Sequence, residues 1–139
     1  MAGTSDLATL LRDLSPRLYE DRWVFCTGPR VPPGLECPPL MTFREPEGLT
    51  VVISKEAANS LGLTGSGIYR QITLTVCSSL EAVGLTAAVS SVLADAGISC
   101  NVVAAYFHDH LFVPETDAQR ALELLRALSE KAPPGAGAA

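Results

Sequence analysis

Apolar residues along this chain switch repeatedly between helical and strand spacing. Leu7, Leu10, Leu11 and Leu14 fall at i, i+3, i+4 and i+7, which gathers them on one face of a helix. Ser5 stands where a cap belongs and Pro16 follows the last leucine, so residues 5–14 are expected to form a short amphipathic helix. Residues 22–27 are an aromatic and β-branched run and read as a strand. Prolines and glycines crowd residues 28–39. No helix or central strand tolerates that density, so this stretch is a loop. Residues 40–44 and 49–54 flank Glu45-Pro46-Glu47-Gly48, a composition suited to a tight hairpin turn. A short helix is expected over 54–61, capped by Ser54 and ended by Gly62. Thr64-Gly65-Ser66-Gly67 reads as a flexible joint.

The second half is more regular. Ile72, Leu74 and Val76 alternate with Thr73, Thr75 and Cys77, the pattern of a strand with one buried face. Leu85, Ala88, Val89, Val92, Leu93 and Ala96 mark one face of a helix that Gly97 ends. Residues 99–106 are nearly all apolar after Asn101 and read as a central strand. His108 and Asp109 fall in a turn, and 111–113 return as a strand. The last helix spans 116–128, with Ala118, Ala121, Leu122, Leu125 and Leu128 inward. These breaks divide the chain into units at 5–66 and 69–130, and the low-complexity tail 131–139 is expected to be disordered. The halves echo each other loosely, each with a strand, a connection, a hairpin and a helix. The proline-rich loop stands in the first where the second has a helix, so the chain reads as a degenerate duplication.

Composition narrows the function. Apolar residues make up 47% and charged residues 18% of the 139, enough for a packed core and too little charge for wholesale disorder. A net charge of −5 argues against nucleic acid, which needs a clustered basic face. Nor is there a polybasic stretch for an anionic membrane. The N-terminal residues lack a signal-peptide pattern, and no apolar run reaches about 18 residues, so a cytoplasmic location is expected. Cys26, Cys37, Cys77 and Cys100 form no C-x-x-C pair and read as free thiols rather than a disulfide framework.

Three stretches of the second half carry a family resemblance: Val83-Gly84-Leu85-Thr86, Ala96-Gly97-Ile98-Ser99-Cys100-Asn101, and Tyr106-Phe107-His108-Asp109-His110-Leu111-Phe112-Val113-Pro114. With them, residues 70–128 resemble an ACT domain, the small regulatory module that binds amino acids. The first half resembles the N-terminal partner in small tandem-ACT proteins of unassigned role, through Trp23-Val24-Phe25-Cys26 and Glu45-Pro46-Glu47-Gly48-Leu49-Thr50. The resemblance implies an α+β, ferredoxin-like fold of two ACT-like halves, the first degenerate. It also implies a non-catalytic sensor that binds a small molecule, an amino acid or a similar ligand, at an interface between ACT units. A homodimer or a regulated protein partner follows from the same resemblance. The loop before Gly84 departs from the family: many ACT domains place an acidic residue and then proline there, and Ser78-Ser79-Leu80-Glu81-Ala82-Val83 has no proline.

A free amino acid offers a carboxylate and an ammonium. The carboxylate suits the unpaired N–H groups at a helix start. Ser79, Val83, Gly84 and Leu85 surround that start, and Gly84 either admits a ligand to the backbone or packs the helix against a strand. Ser78 and Glu81 have capping-box spacing, yet a helix starting nearer Val83 would leave Ser78 and Ser79 in the binding loop. The ammonium suits a carboxylate, and Asp109 is the candidate, against the ordinary role of aspartate in turns. Asn101 either binds ligand or satisfies a strand end. His108 and His110 lack nearby third and fourth ligands in sequence, so no metal site is expected. A Cys100, His108 and Asp109 nucleophilic set would need a reactive thiol where the pattern suggests a packed one. No phosphate loop or nucleophile elbow is present, so neither catalysis nor a cofactor is expected. The competing reading is a protein-interaction module that pairs through exposed sheet edges without a metabolite.

Overall fold

The first helix, α1 (Leu7–Arg12), is capped one residue later than its sequence suggests. Thr9 donates its N–H to Asp6 Oδ2 at 3.2 Å, and Ser5 lies outside the residues that the computed structural model describes, 6–76 and 82–132. The chain then turns through Ser15, at φ 44°, and enters β1 (Pro16–Gly28). That strand begins six residues before the expected 22–27. Its first part carries Arg17, Glu20 and Asp21 among exposed positions, so no apolar run announces it.

β2 (Met41–Glu45) and β3 (Gly48–Ser54) form the expected hairpin. α2 (Lys55–Leu61) starts on the Ser54 side chain, which accepts from the Ala57 N–H at 3.0 Å, and ends at a left-handed Gly62. The second half contains β4 (Tyr69–Leu74), α3 (Leu85–Asp95), β5 (Asn101–Ala104), β6 (Asp109–Pro114), a 3-10 turn (Glu115–Asp117) and α4 (Ala118–Lys131). α4 runs through Lys131, so the helix takes the first residue expected in the tail; residues 133–139 are not among those described. Two further expectations change. Residues 99–106 do not make a central strand, because β5 is short and pairs only with β6. Asp109 is not in the turn but opens β6, opposite Ala104 and Leu74.

All six strands join one antiparallel sheet in the order β2-β3-β1-β4-β6-β5. Its middle explains how two ferredoxin-like halves share one sheet. Trp23 to Gly28 pairs with β3, while Pro16 to Leu18 and Arg22 to Trp23 pair with β4. One strand therefore serves the first half with its end and the second half with its beginning. The lead-in to β4 reciprocates: Ser66 donates its N–H to Phe25 O at 3.0 Å, and its hydroxyl accepts from Phe25 N–H at 2.9 Å. Residues 64–67 are thus docked rather than a free joint. Gly65 is needed there, since a Cβ would lie 2.5 Å from Phe25 O.

Two hydrophobic clusters sit on the helix-bearing side. The larger joins Ile72, Leu74, Leu111 and Val113 of the sheet to Leu85, Val89 and Leu93 of α3 and to Ala121, Leu122 and Leu125 of α4. Leu10 and Leu14 belong to it with no exposure, so α1 packs on the second half although it begins the first. The smaller holds Val24, Cys26, Val51, Ile53 and Ala58, with Leu35 of the proline-rich loop against it. Arg22 links the halves: its Nε donates to Glu115 Oε1 at 2.7 Å, and its Nη1 lies 3.8 Å from Glu56. All three side chains are partly exposed, so each pair adds at most about 1 kcal/mol. Strand alternation puts Phe25, Tyr69 and Phe112 on the other face, where Phe25 meets the two rings edge-on at 5.5 and 5.8 Å.

Candidate functional site

The end of β4 meets the β5–β6 hairpin at one end of the second half, where Leu74 pairs with Asp109. α3 begins at Gly84, at φ 96°, with no side-chain cap among the described residues. Ala88 N–H bonds Gly84 O, so the N–H groups of Leu85, Thr86 and Ala87 precede the first intrahelical bond and point outward along the axis. Val83 is 81% exposed beside them. Leu85 sends its side chain into the core and can offer a ligand only its backbone. A Cβ on Gly84 would come within 3.1 Å of Leu7 Cδ2. The three nearest atoms to that position all belong to Leu7, so Gly84 packs the helix start against α1. Sequence spacing gives no sign of that neighbour, because Leu7 lies in the other half.

Asp109 stands at this end, paired with Leu74. His108 lies close by, with Nδ1 3.4 Å from Val76 O. Asn101 does not join them. It pairs with Phe112, three positions and roughly 10 Å along the ladder from the Asp109 pair, and alternation turns it to the opposite face. Ser79 lies outside the described residues, as do Ser78 and Glu81 with their capping-box spacing. Val83, Gly84 and Leu85 stand consecutively at the start of α3, and Asn101 lies on the opposite sheet face from Asp109.

A polar cluster that sequence reading passes over lies across β4 and β6. Gln71 Nε2 donates to Thr73 Oγ1 at 2.9 Å, and Thr73 Oγ1 lies 2.8 Å from His110 Nδ1. Thr73 is 2% exposed. A neutral His110 carrying its proton on Nε2 accepts from the Thr73 hydroxyl. Burial depresses the His110 pKa, the neighbouring His108 lowers it further, and Asp109 partly opposes both. Strand periodicity assigns Thr73 to the polar face, but nothing in the sequence shows that His110 and Gln71 cover it.

Burial pushes the Cys100 thiol up, away from the thiolate that nucleophilic chemistry needs. Among the described residues, no group of three His, Cys, Asp or Glu side chains gathers to hold a metal ion, and no helix is long and apolar enough to cross a membrane.

Two different ACT-domain family profiles match this chain in tandem, one over residues 2–70 and the other over residues 67–127. A solved Vibrio cholerae protein of unknown function, described as a possible transport protein, is 48% identical. That match covers 88% of this chain and 95% of the other, with a TM-score of 0.79. The chain belongs to the ACT-domain family. ACT domains are regulatory modules that commonly bind amino acids. The fold is also similar to the ligand-free regulatory subunit of aspartate kinase from Thermus thermophilus, at 12% identity and a TM-score of 0.61 over 81% of this chain and 95% of that one. An Agrobacterium tumefaciens protein is 15% identical, with a TM-score of 0.64 over 82% of this chain and 87% of its own. No curated protein sequence matches the chain.

Proposed function

We propose that this tandem ACT protein is a non-catalytic cytoplasmic sensor that binds an amino acid or a similar small metabolite at an interface between ACT units. The observation that supports the reading is the start of α3 at Gly84, which no described side chain caps; Asp109 of the same ACT unit opens β6 opposite Leu74. The N–H groups of that helix start suit a ligand carboxylate, and the Asp109 side chain suits an ammonium. Asn101 and Ser79 would contribute only from a second copy or from the loop before Val83. Binding shifts the protein toward whichever arrangement it favours, and the output is a change in affinity for a second copy or a regulated partner. A thermal-shift screen of the twenty amino acids and common nucleotides tests this. One chemical class should raise the midpoint in a dose-dependent way, by several degrees at about 100 times its Kd. A flat response to every compound refutes it.

A second reading has its own observation. β2 and β5 are both open sheet edges, and Phe43 on β2 is 66% exposed. Such edges suit strand pairing with another chain. On that reading the midpoint rises with protein concentration and ignores metabolites, and sedimentation velocity detects the assembly.

A further inference from the structure

The loop that replaces the first helix leaves a half-open cavity of about 360 Å³ between itself and α2. Its walls are mainly apolar, from Leu35, Ile53, Ala57 and Leu61, and Trp23 contributes a wall. Glu36 and Glu56 line the same cavity, with Cys37 beside them. The loop is fixed in place rather than draped. Leu35 packs into the smaller core, Leu40 N–H bonds Val52 O at 2.9 Å, and Gly34, at φ 91°, lets the backbone approach Leu61 so closely that a Cβ would lie 3.2 Å from it. The Trp23 indole N–H is buried with no hydrogen-bond partner among the described residues. A buried donor without an acceptor destabilises the fold unless something else supplies one.

We infer that this cavity is a second small-molecule site, separate from the Gly84 region and independent of the sensor reading given for it. Its ligand is a small, largely apolar molecule, neutral or cationic, carrying one hydrogen-bond acceptor. The volume lies within the range of small-ligand pockets. Apolar walls take the body of the ligand, and a carbonyl or ring nitrogen accepts from the indole N–H after a small displacement of the loop. The two carboxylates disfavour an anion. Nothing in the pattern of the sequence marks the site, because its parts come from β1, the loop, β3 and α2.

Trp23 is the only tryptophan in the chain, so its emission reports on the cavity directly. Benzamide is the neutral probe and benzoate its anionic counterpart. Benzamide should shift Trp23 emission saturably in the millimolar range, and benzoate should do so far more weakly. At saturation, benzamide should slow alkylation of Cys37, read peptide by peptide, several-fold. Ala57→Phe, which fills the cavity, should remove both responses. The inference is overturned if the emission change is linear to the solubility limit and equal for the two probes. It is equally overturned if saturating benzamide leaves Cys37 alkylation unchanged. Both readouts come from the natural protein, so a poorly folded Ala57→Phe would not shelter the idea.

Discussion

Replacing Gly84 with alanine separates a packing role from a ligand role without knowledge of the ligand. At φ 96° the backbone lies where a side chain is strained, at a cost of about 1–2 kcal/mol. The new Cβ would sit 3.1 Å from Leu7 Cδ2, inside the usual contact distance of about 3.5–4.0 Å. That atom is the end of a flexible side chain, so the contact adds only tenths of a kcal/mol. Alanine also restricts the unfolded chain, which returns about 0.4–1 kcal/mol. The net expectation is a loss of roughly 1 kcal/mol in the ligand-free protein, or a midpoint lowered by about 4 °C. Urea unfolding followed by far-UV circular dichroism measures it. In a Leu7→Ala background the contact share should vanish and the backbone share remain, which a double-mutant cycle resolves. Ligand-free stability within about 0.3 kcal/mol of the parent would refute the geometry assigned to the start of α3.

Three other outcomes follow from named contacts. Leu10→Ala removes a side chain with no exposure from the larger core and should cost about 3 kcal/mol; a loss below about 1 kcal/mol would mean α1 docks loosely. Because the His110 pKa is depressed in the fold, the unfolded chain binds that proton more readily, and stability should fall as pH drops below the ordinary histidine value of about 6.5 until the folded value is passed. His110→Gln should flatten that part of the urea-midpoint profile, and an unchanged slope would assign it elsewhere. Once a ligand with an ammonium group is in hand, Asp109→Ala should weaken it roughly tenfold or more by calorimetry, the share of a charged hydrogen bond; equal affinity would remove Asp109 from the site.

Local signals in the sequence proved reliable where one element sets them. Ser54 and Gly62 bracket α2, Gly97 follows α3, and the inward face of α4 is the one its spacing predicts. What escaped depends on partners distant in sequence. β1 starts six residues early because its paired backbone, not an apolar run, makes those residues a strand. β5 has the composition of a buried strand yet lies at an edge. Its neighbour is set by the topology of the whole sheet, which no window of residues contains. The site divides in the same way. Gly84 is legible as a special backbone position, but its close contact with Leu7 is not, since 76 positions separate them. The cavity beside Trp23 was invisible for the same reason: a proline-rich loop announces itself as irregular, not as a wall.

The shared strands restrict how such a protein can respond to a ligand. Hinging the two ACT units apart would break the Arg22–Arg70 and Trp23–Tyr69 pairs and strip Ser66 from Phe25. β1 would also have to part from one of the two strands it joins. Those are ladder hydrogen bonds in the middle of a sheet, and losing several together is the act of unfolding rather than a switch. α1 is held differently. It meets the rest mainly through side chains, Leu10 in the core and Leu7 against Gly84, with the Arg12 carbonyl accepting from the Ser129 hydroxyl of α4 at 2.8 Å. A ligand seated on the start of α3 therefore acts first on α1, and through Ser15, whose carbonyl accepts from the Thr75 hydroxyl at 2.7 Å, on the beginning of β1. Hydrogen exchange should change in α1 and at Thr75 on binding, while the amides of the β1–β4 ladder keep their protection. Protection lost along that ladder instead would mean the units do separate, and the continuity of β1 would not be the constraint argued from its pairing.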